Sequence, residues 1–214
     1  MRLLTACCVL IASVASAQDA SIGPGRLEIG GFPMGGTFFG GGDGNTEVDF
    51  NVYSAGANVT YYVARHVALE VEFGIGFGLA QDVFFNRTEV FHAQMPNVWT
   101  SFGNVVLFPT GAAAGRQLLP YVTGGFGAVL LQSRQPTKPF GYDEDRIGFA
   151  TFTAETIGAG VKMFRGSAAP EWGFRADYRY LIVNSNSDAP PFFAKTKRRG
   201  GHRIYFGILF TAKR

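Results

Sequence analysis

The chain has 214 residues, of which 47% are hydrophobic and 16% are charged, and its formal net charge is +3 at pH 7. So small a charge does not predict a nucleic-acid partner, and the length suits one domain with a sizeable interior. No interior segment reaches the roughly 18 continuous apolar residues of a membrane-spanning helix. The 29 glycines and 21 phenylalanines are therefore dispersed, and their spacing has to show where they go.

The N-terminus has the three parts of a secretory signal peptide. Arg2 supplies a positive charge, Leu3 to Val14 is apolar, and Ala15 to Ala17 is a small-residue cleavage site. We predict that residues 1–17 are removed and that residues 18–214 form a single domain. Both cysteines lie in the removed part, so the mature chain has no thiol for a disulfide or a metal site.

Eight later segments alternate between large apolar residues and small or polar ones, which is the period of a β-strand. The clearest reads VALEVEFGIGFGL, from Val67 to Leu79. Its odd-numbered positions are all large and apolar, and its even-numbered positions hold one alanine, two glutamates and three glycines. In chain order, the predicted strands cover residues 26–39, 48–64, 67–79, 98–108, 118–131, 147–164, 172–182 and 203–212.

The connections between these segments alternate in length. The short links are residues 65–66, 109–117 and 165–171. The longer links, which are polar or irregular, are residues 40–47, 81–97, 132–146 and 183–202. Short turns at one end and long loops at the other are typical of outer-membrane β-barrels.

The two faces of the strands differ in a way that favours a membrane barrel. In the seventh predicted strand one Trp, one Phe and two Tyr share a face, while Arg175, Asp177 and Arg179 share the other. An eight-stranded barrel is just wide enough for side chains to fill it, so the large residues of all strands would crowd its interior. With glycines and paired charges inside and phenylalanines outside, the crowding disappears, and a closed barrel satisfies its backbone donors within a bilayer.

We therefore predict an all-β fold, an eight-stranded antiparallel transmembrane β-barrel with short periplasmic turns and longer extracellular loops. A soluble periplasmic lipid-binding barrel is an alternative, and it needs the phenylalanine-rich face inside.

Charged side chains on the inward face are the main candidates for a functional site. Because buried charges must pair, they would either line a narrow ion path or lock a closed interior with salt bridges. The candidates are Glu70, Glu72, Lys162, Arg175, Asp177, Arg179 and Arg203. A second candidate is a basic surface loop that could contact lipopolysaccharide phosphates, formed by Lys195, Lys197, Arg198 and Arg199.

The three histidines do not form a catalytic or metal-binding pattern. We predict His66 in a tight turn, His92 in a loop and His202 at a strand start, and none has a metal-ligand spacing such as H-E-x-x-H. None lies two to four residues from a serine on a strand, as a lipid deacylase facing the outer rim would require. The prediction is a non-enzymatic protein without catalytic residues, metal or cofactor.

The strand sequences resemble the small outer-membrane β-barrel proteins of Gram-negative bacteria, akin to the N-terminal domain of OmpA. The motifs are PYVTGGFG from Pro120, GAGVK from Gly158 and GFRADYRY from Gly173, and the resemblance extends over nearly the whole mature chain. It implies a monomer in the outer membrane, in contact with lipid and lipopolysaccharide and inserted by the outer-membrane assembly machinery. It further implies a role in envelope integrity or surface interaction or, alternatively, a narrow porin-like channel for ions or small solutes.

Two features depart from that family. Its barrels commonly end on a terminal aromatic residue, whereas here Phe210 is followed by Thr-Ala-Lys-Arg. The peptidoglycan-binding domain of OmpA itself has no counterpart in the sequence, so tethering to the cell wall is not expected.

Overall fold

A computed structural model describes residues 22–40, 48–85, 89–112, 118–138, 141–164, 172–185, 192 and 198–211. Its strands are β1 (Leu27–Gly40), β2 (Phe50–Ala64), β3 (Val67–Gly78), β4 (Ala80–Phe85), β5 (Glu89–Gln94), β6 (Asn97–Leu107), β7 (Leu118–Lys138), β8 (Gly141–Phe164), β9 (Trp172–Asn184) and β10 (Arg198–Thr211). The predicted signal peptide, residues 1–17, lies outside the described residues. Within these ranges, no helix is long and apolar enough to cross a membrane.

Eight of the strands close into an antiparallel barrel in the order β1-β10-β9-β8-β7-β6-β3-β2, which confirms the predicted fold class. The first and last strands close it, pairing from Glu28 with Thr211 to Gly40 with Gly200. If each residue is followed to its partner on the next strand, the path that leaves β1 at Ile29 goes once around the barrel and returns to β1 at Gly40. The strand register is therefore staggered around the barrel. This stagger is what tilts the strands of a closed barrel against its axis.

The strand alternation places large apolar side chains outside and charged ones inside. On β3, Phe73 is 60% exposed and the adjacent Glu72 is 0% exposed. All eight barrel strands carry exposed large apolar residues on their outer faces. Aromatic side chains mark both rims, with Tyr61 and Trp172 near one and Tyr53 and Trp99 near the other.

Two predicted loops are largely strand. β7 and β8 continue as one hairpin through the predicted loop 132–146, and β4 pairs with β5 as a separate two-stranded sheet inside the predicted loop 81–97. Strands that pair with each other beyond the barrel wall need no apolar face directed at a membrane. An apolar face is the feature from which the sequence predicts the barrel strands, and for this reason the sequence predicts loops here.

The barrel interior is layered. We call the end where β2 meets β3, at Arg65 and His66, the turn end, and the opposite end the loop end. The turn-end apolar cluster consists of Ile22, Tyr62, Ala68, Val106, Phe108, Ala112, Leu119, Tyr121, Phe164 and Leu209. The loop-end apolar cluster consists of Phe39, Val48, Phe50, Val52, Val83, Met95, Val98, Phe102, Val129, Leu131, Phe152, Ala154, Leu181, Val183 and Phe192. Buried apolar side chains thus fill both mouths of a lumen for which the sequence predicted mainly small and polar residues.

A sealed charge network in the barrel lumen

Among the described residues, eight charged side chains in the lumen pair with one another, and none is more than 4% exposed. The carboxylates are Glu28, Glu70, Glu72 and Asp177, and the cations are Lys162, Arg175, Arg179 and Arg203. The structure places all seven residues predicted from the sequence in this group, which we call the lumen network. The eighth, Glu28, lies on the inward face of β1. Four negative charges therefore face four positive charges.

Glu70 on β3 is a hub of the lumen network. Its Oε2 lies 2.5 Å from Arg175 Nη1, and its Oε1 lies 2.6 Å from Arg179 Nη2. Three neutral side chains also donate to this carboxylate, at 3.1 to 3.3 Å: Asn58, Thr60 and Asn104. Because charge-assisted and neutral donors approach both oxygens, the carboxylate is well compensated for its loss of water.

The three charged residues of β9 form a ladder along one face of the strand. Positions two apart share a face, so Asp177 lies between Arg175 and Arg179. Its Oδ2 lies 2.6 Å from Arg175 Nη2, and its Oδ1 lies 3.0 Å from Arg179 Nε. The Tyr121 hydroxyl donates to the same carboxylate and accepts a hydrogen bond of 2.7 Å from Arg175 Nε.

Glu72 joins the last strand to this ladder. Arg203 Nη2 donates to its Oε1, and the Tyr205 hydroxyl donates to its Oε2 at 3.0 Å. Arg179 Nη1 lies 3.1 Å from the same Oε2, an ion pair without hydrogen-bond alignment. Since Arg179 also contacts Glu70, residues from β3, β9 and β10 belong to one continuous set of ion pairs.

A separate pair lies beside the turn-end apolar cluster. Lys162 Nζ contacts Glu28 Oε1 at 2.6 Å, and the Tyr62 hydroxyl donates to the other oxygen at 2.7 Å. The ammonium also lies 5.3 to 5.6 Å from the ring centroids of Tyr62, Phe108 and Tyr121. Aromatic faces at this distance attract a cation. The Lys162 side chain is fully buried among them and Glu28.

Three neutral side chains that contact the lumen network are not among the residues predicted from the sequence. Tyr62, Tyr121 and Tyr205 lie at inward positions of their strands and bind carboxylates. Strand parity places them on the inward face, but the sequence-based candidates were restricted to charged side chains.

The predicted basic loop is not a single surface feature. Lys195 and Lys197 lie outside the described residues, whereas Arg198 and Arg199 belong to β10. Arg199 is 2% exposed and donates to the Val48 carbonyl at 2.7 Å, so its assignment to a solvated loop was wrong. The error arose because β10 begins at residue 198, and the two glycines that follow the arginines hid the alternation. Arg198, on the outer face, is exposed.

The histidines differ in part from their predicted positions. His66 lies in the tight turn, with Nδ1 2.9 Å from the Phe108 carbonyl. His92 lies in β5 rather than a loop, and His202 lies within β10 rather than at its start. In the described parts of the chain, no group of three or more His, Cys, Asp or Glu side chains could hold a metal ion.

A closed barrel of eight antiparallel strands, apolar outside and charge-paired inside, has the architecture of the small outer-membrane β-barrels. Among solved structures, the chain is similar to Neisserial surface protein A, with a TM-score of 0.57 and 10% identity over 86% of this chain and 95% of that one. It is also similar to the outer membrane protein OprG from Pseudomonas aeruginosa, with a TM-score of 0.50 and 13% identity over 90% of this chain and 99% of that one. At these identities the likeness is one of fold. No family model matches the chain, and no curated protein matches it in sequence.

Proposed function

We propose that this protein is a non-enzymatic integral outer-membrane β-barrel with a closed lumen, serving envelope integrity or surface interaction. It would be exported by residues 1–17, inserted by the outer-membrane assembly machinery, and act as a monomer in contact with lipid and lipopolysaccharide. Its fold is shared with two proteins described as a surface protein and an outer membrane protein, which supports this location.

The observation that carries the proposal is the orientation of the wall. Side chains such as Phe73, Phe126 and Ile157 are at least 60% exposed, while the inward-facing arginines of the same sheet, Arg175, Arg179 and Arg203, are at most 2% exposed. In water this arrangement would expose apolar surface and bury charge, and both are unfavourable. In a bilayer the same wall meets hydrocarbon. The alternative of a soluble lipid-binding barrel requires the opposite orientation.

The lumen network favours a structural role over conduction. Ions need polar groups that can exchange partners along a hydrated path, whereas each of the eight charges is sealed from solvent and faces an opposite charge. The two apolar clusters add dry layers at both mouths. The narrow porin-like channel is therefore the second candidate.

The protruding hairpin provides a surface for contact outside the membrane. β7 pairs with β6 as far as Gln132, and β9 pairs with β8 as far as Thr153. Beyond these residues β7 and β8 pair only with each other, as far as Lys138 and Gly141. A ribbon that rises from the loop end is suited to surface interaction, because loops and hairpins at barrel rims tolerate variation without loss of the wall.

The test of the proposed function is insertion followed by electrical recording. Residues 18–214 would be refolded in detergent, examined for heat-modifiable migration on a gel, and added to planar bilayers. We expect heat-modifiable migration with no discrete current steps, because the lumen is filled. Discrete steps whose size changes in a Glu72→Gln variant would instead support the channel. A protein that is folded and soluble without detergent would contradict membrane insertion.

A further inference from the structure

A polar patch interrupts the apolar outer wall at the loop end of β9 and β10. On β10 the outward positions read Arg198, Gly200 and His202, followed by the apolar stripe of Ile204, Phe206, Ile208 and Phe210, each at least 40% exposed. We define the headgroup patch as Arg198, His202, Tyr178, Tyr180 and Glu155. The change from polar to apolar along one strand marks the level at which a bilayer would change from headgroups to hydrocarbon.

The headgroup patch is built by strand pairing. His202 is paired with Tyr180, and their ring centroids are 5.0 Å apart. The Tyr178 hydroxyl lies 2.8 Å from His202 Nδ1, which leaves the other ring nitrogen, Nε2, directed away from that bond. The imidazole is thereby held in place by contacts with two tyrosines.

The Tyr180 phenol lies between the two basic side chains of the patch. Gly200 lies between Arg198 and His202 on the outer face, and a Cβ there would collide with the Tyr180 hydroxyl, which occupies that space. The absence of a side chain at Gly200 thus places a hydroxyl between the guanidinium and the imidazole. Donors of this kind suit the oxygens of a phosphate.

Glu155 and Arg198 form a long, exposed ion pair at the edge of the headgroup patch. Their closest oxygen and nitrogen are 3.7 Å apart, and the side chains are 43% and 68% exposed. A long, exposed ion pair contributes little free energy. Arg198 can therefore turn from the carboxylate to a stronger, doubly charged acceptor without much loss.

We propose that the headgroup patch binds the phosphate of a phosphorylated outer-leaflet lipid, the lipid A moiety of lipopolysaccharide, whose acyl chains lie along the apolar stripe of β10. The positive charge of Arg198 and the hydrogen-bond donors around it favour a phosphate. The headgroup patch is continuous with the apolar stripe of β10, which favours a lipid phosphate over a free phosphate. This inference rests on the proposed membrane location and names the partner of that outer wall.

The experiment uses the refolded mature chain in phosphatidylcholine vesicles that contain a minor fraction of lipid A. Protein is extracted in polymer-bounded nanodiscs, and the lipid A retained per protein is measured by mass spectrometry. We expect enrichment of lipid A over its bulk fraction, and a fall of about tenfold in that enrichment for the Arg198→Ala/His202→Phe double variant. Glu155→Gln should raise the enrichment, since it removes the competing carboxylate, and simple loss of structure would not do so.

Two controls separate the site from general charge and from folding. Arg65→Ala removes an exposed arginine at the turn end and should leave the enrichment unchanged. Dephosphorylated lipid A should not be enriched. Equal enrichment by the wild type and the double variant, or equal retention of dephosphorylated lipid A, would overturn the site. Heat-modifiable migration is recorded for every sample: insertion without enrichment refutes the site alone, whereas failure to insert refutes the proposed function and the site with it.

Discussion

Glu70→Gln is expected to lower the free energy of unfolding by about 3–5 kcal/mol, because it leaves two buried guanidinium groups short of one negative charge. The Glu70 carboxylate accepts hydrogen bonds from Arg175 Nη1 at 2.5 Å and from Arg179 Nη2 at 2.6 Å. All three side chains are buried. The amide preserves the shape of the carboxylate, so that the loss reports on charge rather than on packing. Equilibrium unfolding in denaturant, with the protein folded into lipid vesicles, measures the change.

The matched control is the same substitution on the opposite face of the wall. Glu155→Gln removes a carboxylate that is 43% exposed and pairs with Arg198 at 3.7 Å. Such a pair is worth at most about 1 kcal/mol. If the two variants lost equal stability, the lumen network would not hold the barrel together.

Phe73→Lys is expected to cost about 2–4 kcal/mol in vesicles, since it places a cation on the lipid-facing wall near the middle of a strand. Phe73 is 60% exposed on β3. In water an exposed Phe→Lys change would be neutral or favourable, so the sign of the effect reports the medium that surrounds the wall. The measurement is the folded fraction in vesicles as a function of denaturant.

The control for this variant is a substitution to lysine at a position nearer the membrane surface. Leu79 follows the end of β3 at the loop end and is 56% exposed, so Leu79→Lys removes a similar apolar area near the expected headgroup level. Its cost should be about 0–1 kcal/mol. Equal costs at the two positions, or a stabilising effect of Phe73→Lys, would contradict a hydrocarbon environment around the barrel.

Sequence periodicity was sufficient for the barrel strands because every wall strand has one face that must be apolar. The alternation in β3 identified both Glu70 and Glu72 as inward, and the structure places them there. What periodicity could not provide was the pairing of these charges. Arg179 contacts Glu70, Glu72 and Asp177 at once, and its choice of partners depends on the stagger between strands.

Residues with two plausible roles were the harder ones to assign. Arg198 and Arg199 are adjacent in sequence and equally basic, yet one is exposed and the other is buried against the Val48 carbonyl. Strand membership decides between these roles, and the strand start was obscured by two glycines. The apolar layers at both mouths were missed for a related reason, since a buried Phe at an inward position looks the same in sequence as one that faces lipid.

The distances along the chain between partners in the lumen network have a consequence for how the barrel forms. Lys162 is 134 positions from Glu28, and Arg203 is 131 positions from Glu72. Neighbouring hairpins cannot neutralise these charges by themselves, so a partly assembled sheet must keep them hydrated. Ring closure between the first and last strands then dehydrates them together, and stability is gained late and almost in one step. Folding of this barrel should accordingly be strongly cooperative, because the buried ion pairs of the lumen form only when all eight strands have closed into the barrel.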